Sequence, residues 1–188
     1  MVEIRGTKPE EKNSYLEKKE VEYRHYQEII AQKCVGKNSL VVIPTGLGKT
    51  IIGVLVAAKL LEMVPSDSKI IILAPTRPLI EQHFQSFLQK LSIPKEKFAI
   101  LTGKIAPSKR TEIFETNQVL FFTPHTLRND LVNKKYDLSH TCLVIFDEAH
   151  HASGDYPYPL IADKYKQQNS DGTILALTAS PGASKKNH

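Results

Sequence analysis

Short, continuous apolar runs recur along the chain, and between them apolar residues fall at helical spacing. Leu40-Val41-Val42-Ile43, Ile70-Ile71-Ile72-Leu73, Phe98 to Leu101, Val119 to Phe122, Cys142 to Phe146 and Ile174 to Leu177 each read as a buried strand. Ile51 to about Met63 reads as a helix that Pro65 ends. Pro78 to Leu91, Pro107 to Phe114 and a segment after Pro124 read as further helices. Strands that are apolar throughout, rather than alternating, belong in a parallel sheet covered on both faces. Six such runs separated by helices predict an α/β doubly wound parallel sheet. In that architecture ligands bind beyond the carboxyl ends of the strands, so residues that follow a strand are the candidates for chemistry.

Composition narrows the picture only slightly. A chain of 188 residues, 41% hydrophobic and 24% charged, suits one globular domain. Residues 1–20, rich in Lys and Glu, read as a charged lead-in, and residues 21–188 as the folded domain. A net charge of +5 fits a polyanionic partner without requiring one. The two cysteines, Cys34 and Cys142, belong to no metal-ligand spacing and read as free thiols of a reducing compartment. No apolar run approaches the ~18 residues of a membrane span, and the charged N-terminus lacks a signal-peptide core. A cytoplasmic protein without a membrane partner is the expectation.

The first chemical signal is Pro44-Thr45-Gly46-Leu47-Gly48-Lys49-Thr50, between a strand and a helix. Glycines let backbone N–H groups approach phosphate oxygens closely, and the helix start adds a positive dipole end. Lys49 can neutralise β and γ phosphates, and the Thr50 hydroxyl can ligate Mg²⁺. Ile43 stands where the general phosphate-loop pattern has its first Gly. The second signal is Asp147-Glu148-Ala149-His150, delivered by the strand Cys142 to Phe146. Asp147 can hold Mg²⁺, through water, and Glu148 can act as general base toward an attacking water. His150 and His151 are adjacent, so their side chains are expected to diverge, and no third metal ligand is spaced near them. His150 instead reads as a hydrogen-bond link to the next strand-end segment.

With both motifs present, the chain resembles a DEAH-type superfamily 2 helicase over residues 20–182. Within that superfamily its wording is similar to the archaeal Hef helicase/nuclease and Fanconi anaemia M-type group. Pro-Thr-Gly-Leu-Gly-Lys-Thr, Phe-Asp-Glu-Ala-His, Ala-Pro-Thr-Arg-Pro-Leu-Ile-Glu-Gln-His and Leu-Thr-Ala-Ser-Pro-Gly carry the likeness. The resemblance implies a RecA-like first domain of the P-loop NTPase type, with ATP and Mg²⁺ as cofactors. It further implies that Arg24 and Gln27 form the adenine-reading segment, since an amide can donate and accept at once. Arg77, Thr102, Gly103, Thr123 and His125 are then the nucleic-acid backbone contacts. Thr178 and Ser180 are then the residues that couple nucleotide state to domain movement.

The same resemblance implies a longer parent polypeptide, with a second RecA-like domain that closes over ATP and supplies an arginine finger. Branched or forked DNA, in repair or fork processing, is the implied substrate. Duplex RNA stays open, with only Ala149, where duplex-RNA sensors and Dicer usually carry Cys, and the Hef-like wording weighing against it. A nucleotide-gated nucleic-acid binding module without motor activity also stays open.

Overall fold

The computed structural model describes residues 13–17, 23–44, 46 and 48–179. Helix α1 (His25–Cys34) leads into strand β1 (Ser39–Ile43). Then α2 (Lys49–Leu61), β2 (Lys69–Leu73), α3 (Arg77–Lys90), β3 (Phe98–Leu101) and α4 (Pro107–Thr116) follow. The order continues with β4 (Val119–Phe122), α5 (Pro124–Val132), β5 (Thr141–Phe146), α6 (Pro157–Gln168) and β6 (Thr173–Ala179). Among the described residues the strands form one sheet, ordered β1-β6-β5-β2-β4-β3. Every pairing is parallel, so all carboxyl ends open on the same rim. The doubly wound α/β class expected from the apolar runs is the class observed.

Successive strand residues point to opposite faces, and this alternation divides the core into two layers. Ile70 and Ile72 meet Ala31, Ile52, Leu55, Ile80 and Phe87 under α1, α2 and α3. Ile71 and Leu73 meet Phe114, Leu127, Leu131, Tyr158 and Tyr165 under α4, α5 and α6. Prolines in the first turn of α3, α4, α5 and α6 start these helices where their missing N–H costs nothing. Helices α1 and α6 are not among the elements the apolar pattern predicts; their buried residues include the polar Gln27 in α1 and Tyr158 and Tyr165 in α6.

One strand is less buried than its run of apolar residues suggests. Leu40 is 62% and Val42 50% exposed. β1 is an edge strand whose Val41 and Ile43 enter the α1–α3 layer. Its other face, at this edge, is not covered by any described helix. At the N-terminal side, residues 13–17 lie against the end of α3, where Leu16 bridges Leu91 and the Ser92 N–H donates to the Tyr15 carbonyl at 2.8 Å. The rest of the expected lead-in lies outside the described residues. Cys34 and Cys142 are both free and buried, and burial pushes the Cys142 thiol up to about 12.

A buried ion pair ties α4 to α5. Arg110 Nε donates to Asp130 Oδ2 at 2.8 Å and Nη2 to Oδ1 at 2.6 Å. The Tyr136 hydroxyl donates to the same Oδ2 at 2.7 Å, and its ring stacks on Phe114 at 3.9 Å. Arg110 Nη1 also donates to the Ile105 carbonyl, so the loop after β3 is tethered to the same cluster. Removing one member of such a pair leaves an uncompensated buried charge. Asp130→Ala is therefore expected to lower the unfolding free energy by about 3–5 kcal/mol, read by urea denaturation. A loss below about 1 kcal/mol would show that the cluster does not hold the two helices together.

Candidate functional site

The chain leaves β1 through Pro44 and enters α2 at Lys49. Gly46 (φ 86°) and Gly48 (φ 77°) both occupy the left-handed region that a side chain disfavours. A Cβ placed on Gly48 would also collide with the Gln27 side-chain amide nitrogen. The loop glycine and the buried Gln27 of α1 are thus packed directly on one another. Gln27 Oε1 accepts from the Arg24 backbone N–H at 3.1 Å, which fixes the orientation of the amide. The fold brings Arg24, Gln27, Pro44, Gly46, Gly48, Lys49 and Thr50 into one neighbourhood; Thr45 and Leu47 lie outside the described residues.

Lys49 reaches across to the end of β5. Its Nζ donates to Glu148 Oε1 at 3.0 Å and stands 3.1 Å from Asp147 Oδ1. Burial works against the ammonium charge, but Glu148 and Asp147 outweigh it and raise the Lys49 pKa. Asp147 is almost wholly buried. Burial pushes its carboxyl up, yet the His83 hydrogen bond and the Lys49 ammonium leave it below the usual carboxylate value. Lys49 meets Asp147 Oδ1 at ion-pair distance but off the direction of a hydrogen bond, so this oxygen has no hydrogen-bond partner. Glu148 adopts a left-handed backbone (φ 53°), a strained conformation of the kind that collects at functional sites.

A buried carboxylate oxygen without a hydrogen bond, turned toward the phosphate loop, suits a hard divalent cation. Mg²⁺ takes one or two protein oxygens and completes its shell with water and phosphate. The residues present fit such an ion: Thr50 and Asp147 would hold it. No group of three His, Cys, Asp or Glu side chains that could hold a metal occurs among the described residues.

His83, which the sequence left without a role, lies in the middle of this arrangement. It is buried on α3, with Nε2 2.7 Å from Asp147 Oδ2 and Nδ1 3.4 Å from Thr50 Oγ1. The signal was present in the sequence: Ile80, His83 and Phe87 share the inner face of α3, and a histidine in an apolar stripe needs a polar partner. Tyr158 of α6 is a second unpredicted contributor, since its hydroxyl donates to the Asp147 carbonyl at 2.6 Å.

His150 Nδ1 stands 3.0 Å from Thr178 Oγ1 at the end of β6 and 3.4 Å from Glu148 Oε2. Ser180 lies outside the described residues. The His150 and His151 rings do not diverge as adjacency suggested; in the 3-10 turn Ala149–His151 their centroids are 4.4 Å apart. The other strand-end residues gather on neighbouring strands β2, β4 and β3. Arg77 is half exposed and pairs with Glu81 at 3.3 Å. Thr102 is buried, whereas Gly103 is exposed, and a Cβ on Gly103 would stand 3.9 Å from Thr126 Oγ1. The Thr123 hydroxyl meets that of Thr126 at 2.8 Å rather than capping α5. His125 is exposed beside Tyr156, with ring centroids 6.3 Å apart.

Comparison with known proteins gives a consistent picture. The model of the DEAD/DEAH box helicase family matches residues 24–187. A Methanocaldococcus jannaschii protein, named provisionally as an ATP-dependent RNA helicase, is 43% identical over 168 residues, 89% of this chain and 21% of its own length. The ATP-dependent DNA helicase mph1 of Aspergillus niger is 39% identical over 160 residues, 85% of this chain and 14% of its own length. The crystal structure of the Pyrococcus furiosus Hef helicase domain superposes with a TM-score of 0.83 at 40% identity, covering 92% of this chain and 36% of that one. The chain thus spans about a fifth of the length of the first curated relative it matches.

Gly48→Ala meets both the left-handed backbone and the Gln27 amide. It is expected to cost about 1–2 kcal/mol of stability, from the backbone conformation alone. The side-chain amide resonances of Gln27 should shift with it. Unchanged stability and unchanged Gln27 resonances in an NMR comparison would refute the packing of loop on amide.

Proposed function

The chain belongs to the DEAD/DEAH box helicase family, and from that premise we propose that it is the ATP-binding domain of an ATP-dependent DNA helicase or translocase that acts on branched or forked DNA. One observation carries the nucleotide half of this reading. The phosphate-loop lysine is seated between the two carboxylates at the end of β5, at 3.1 Å and 3.0 Å. A basic loop and an acidic strand end that face each other are what a metal-bound triphosphate needs on its two sides.

In this reading the glycine-rich turn offers backbone N–H groups to the phosphates, and Lys49 transfers its charge from the carboxylates to them. Thr50 and Asp147 would hold Mg²⁺, Asp147 through water, and the ion would supply positive charge against the phosphates. Glu148 takes the proton of the attacking water as the bond to the leaving phosphate breaks. Gln27, fixed by the Arg24 N–H, reads the adenine edge. His150, which touches both Glu148 and Thr178, passes the state of the phosphate end to the segment after β6.

Arg77, Thr102, Gly103, Thr123 and His125 supply the nucleic-acid contacts. Hydroxyls, backbone N–H groups and a cation position a sugar-phosphate backbone without reading sequence. DNA is favoured because the Aspergillus niger relative is named a DNA helicase and the wording is Hef-like. Duplex RNA is the second reading, carried by the name of the Methanocaldococcus jannaschii relative. The second RecA-like domain of the same polypeptide is the remaining partner, and an arginine finger from it would supply about 10³–10⁵ in rate.

ATPase assays on this chain and on the full-length polypeptide, each with forked DNA or duplex RNA, test the proposal. The chain alone should bind ATP and turn it over barely, while the full-length protein should be stimulated by forked DNA. Robust stimulated turnover by the chain alone would overturn the division of labour, and stimulation by duplex RNA in place of DNA would move the substrate to RNA. In the full-length protein Glu148→Gln should retain ATP binding and lower turnover by about 10²–10⁴. Equal turnover by variant and parent would remove Glu148 from the base role.

A further inference from the structure

We propose that His83 is a positioning residue for the divalent cation, holding the Asp147 carboxylate and the Thr50 hydroxyl in the arrangement that a metal-bound nucleotide requires. The inference rests on the nucleotide-site reading above and deepens it.

The geometry is specific to this ring. Asp147 projects from the end of β5 into a buried position where an unsupported carboxylate could rotate toward any available donor. His83 Nε2 occupies Oδ2 at 2.7 Å. The other oxygen, Oδ1, is thereby turned toward the phosphate loop, and it is the oxygen without a hydrogen bond. With the ring proton on Nε2, Nδ1 presents a lone pair to the Thr50 hydroxyl 3.4 Å away. A hydroxyl that gives its proton to Nδ1 turns its own lone pairs outward, where a cation can take one. One imidazole thus sets both protein oxygens of the site, although it would touch neither metal nor nucleotide.

The ring has little freedom to do otherwise. It is buried, in line with Ile80 and Phe87 on the inner face of α3. Phe87 is in turn packed edge-on against Phe121 at 5.8 Å. Outer groups that orient the ligands of a metal are commonly worth 10- to 100-fold in metal affinity.

The test separates metal positioning from simple packing. Binding of a fluorescent, non-hydrolysable ATP analogue to the chain is measured across a Mg²⁺ titration and again in EDTA. His83→Leu keeps apolar bulk but offers no donor to Asp147, and circular dichroism checks its fold. It is expected to raise the half-saturating Mg²⁺ concentration about 10-fold while leaving analogue affinity in EDTA unchanged. His83→Gln, whose amide can still donate to Asp147, should recover most of that loss. Should His83→Leu fail to fold, His83→Asn, whose shorter amide leaves the carboxylate unreached, takes its place with the same expectation. An unaltered Mg²⁺ dependence in the donor-less variant would overturn the proposal. So would an equal loss of binding in Mg²⁺ and in EDTA, which marks a packing role. A wild-type chain that binds no analogue under either condition would sink the nucleotide-site reading, and this proposal with it.

Discussion

Asp147 is a charged group at the end of a fully buried strand, and the site is built around the requirement that this charge be compensated. A lone buried carboxylate costs several kcal/mol or loses its charge. Here two elements answer it. α3 contributes the His83 ring and α2 the Lys49 ammonium, while the Tyr158 hydroxyl of α6 holds the Asp147 backbone carbonyl. The pKa of Asp147 lies below the ordinary value because these partners overcome the burial that would raise it. The placement of the phosphate loop relative to the acidic strand end, on which the proposed chemistry depends, follows from the same compensation.

The order of the strands gives that compensated charge a wider meaning. Segments expected to meet the nucleotide, or to couple to it, lie at the ends of β1, β5 and β6, which are consecutive in the sheet; segments expected to meet nucleic acid follow β2, β4 and β3, which are also consecutive. The boundary runs between β5 and β2, whose register pairs Leu73 with Phe146 at the rim. α3 begins at that boundary. Its first residue is Arg77 and its inner face carries His83, so one rigid helix touches both halves. On the nucleic-acid side, Arg110 joins the loop after β3 to α5 through the Ile105 carbonyl and Asp130. Each half of the rim is therefore braced by a buried polar contact between elements distant in sequence.

Much of this is legible in the order of residues alone. Parallel strands buried on both faces must be apolar throughout, so the six runs stand out. Two glycines and a lysine in a strand-to-helix turn point directly to phosphate binding. Strand order is not legible, because it is set by which helices cross which face and leaves no local pattern. The edge position of β1 follows from that order, which is why Leu40 and Val42 read as buried and are exposed. His83, Arg110 and Asp130 escape for a related reason: each sits on the inner face of its helix, and its partner lies on another element. A polar residue at a core position of a helix is the available signal, for His83 beside Ile80 and for Asp130 beside Leu127 and Leu131. The signal tells that a partner exists and not which one.

The pairing of Lys49 also bears on how the site works when a ligand arrives. Its ammonium is shared between Asp147 and Glu148, so one positive charge faces two carboxylates and the cluster keeps a net negative charge. A triphosphate alone would draw Lys49 away and leave two carboxylates facing added negative charge. A triphosphate that brings a divalent cation would restore compensation, since the cation would stand in for the ammonium near Asp147 while the ammonium moved to phosphate. A preference for metal-bound nucleotide would then follow from charge compensation around one buried carboxylate. The left-handed Glu148 backbone fits this account as well. It keeps the second carboxylate at the 3.0 Å contact with Lys49 and, through Oε2, within 3.4 Å of His150, whose Nδ1 stands 3.0 Å from Thr178 Oγ1 at the end of β6.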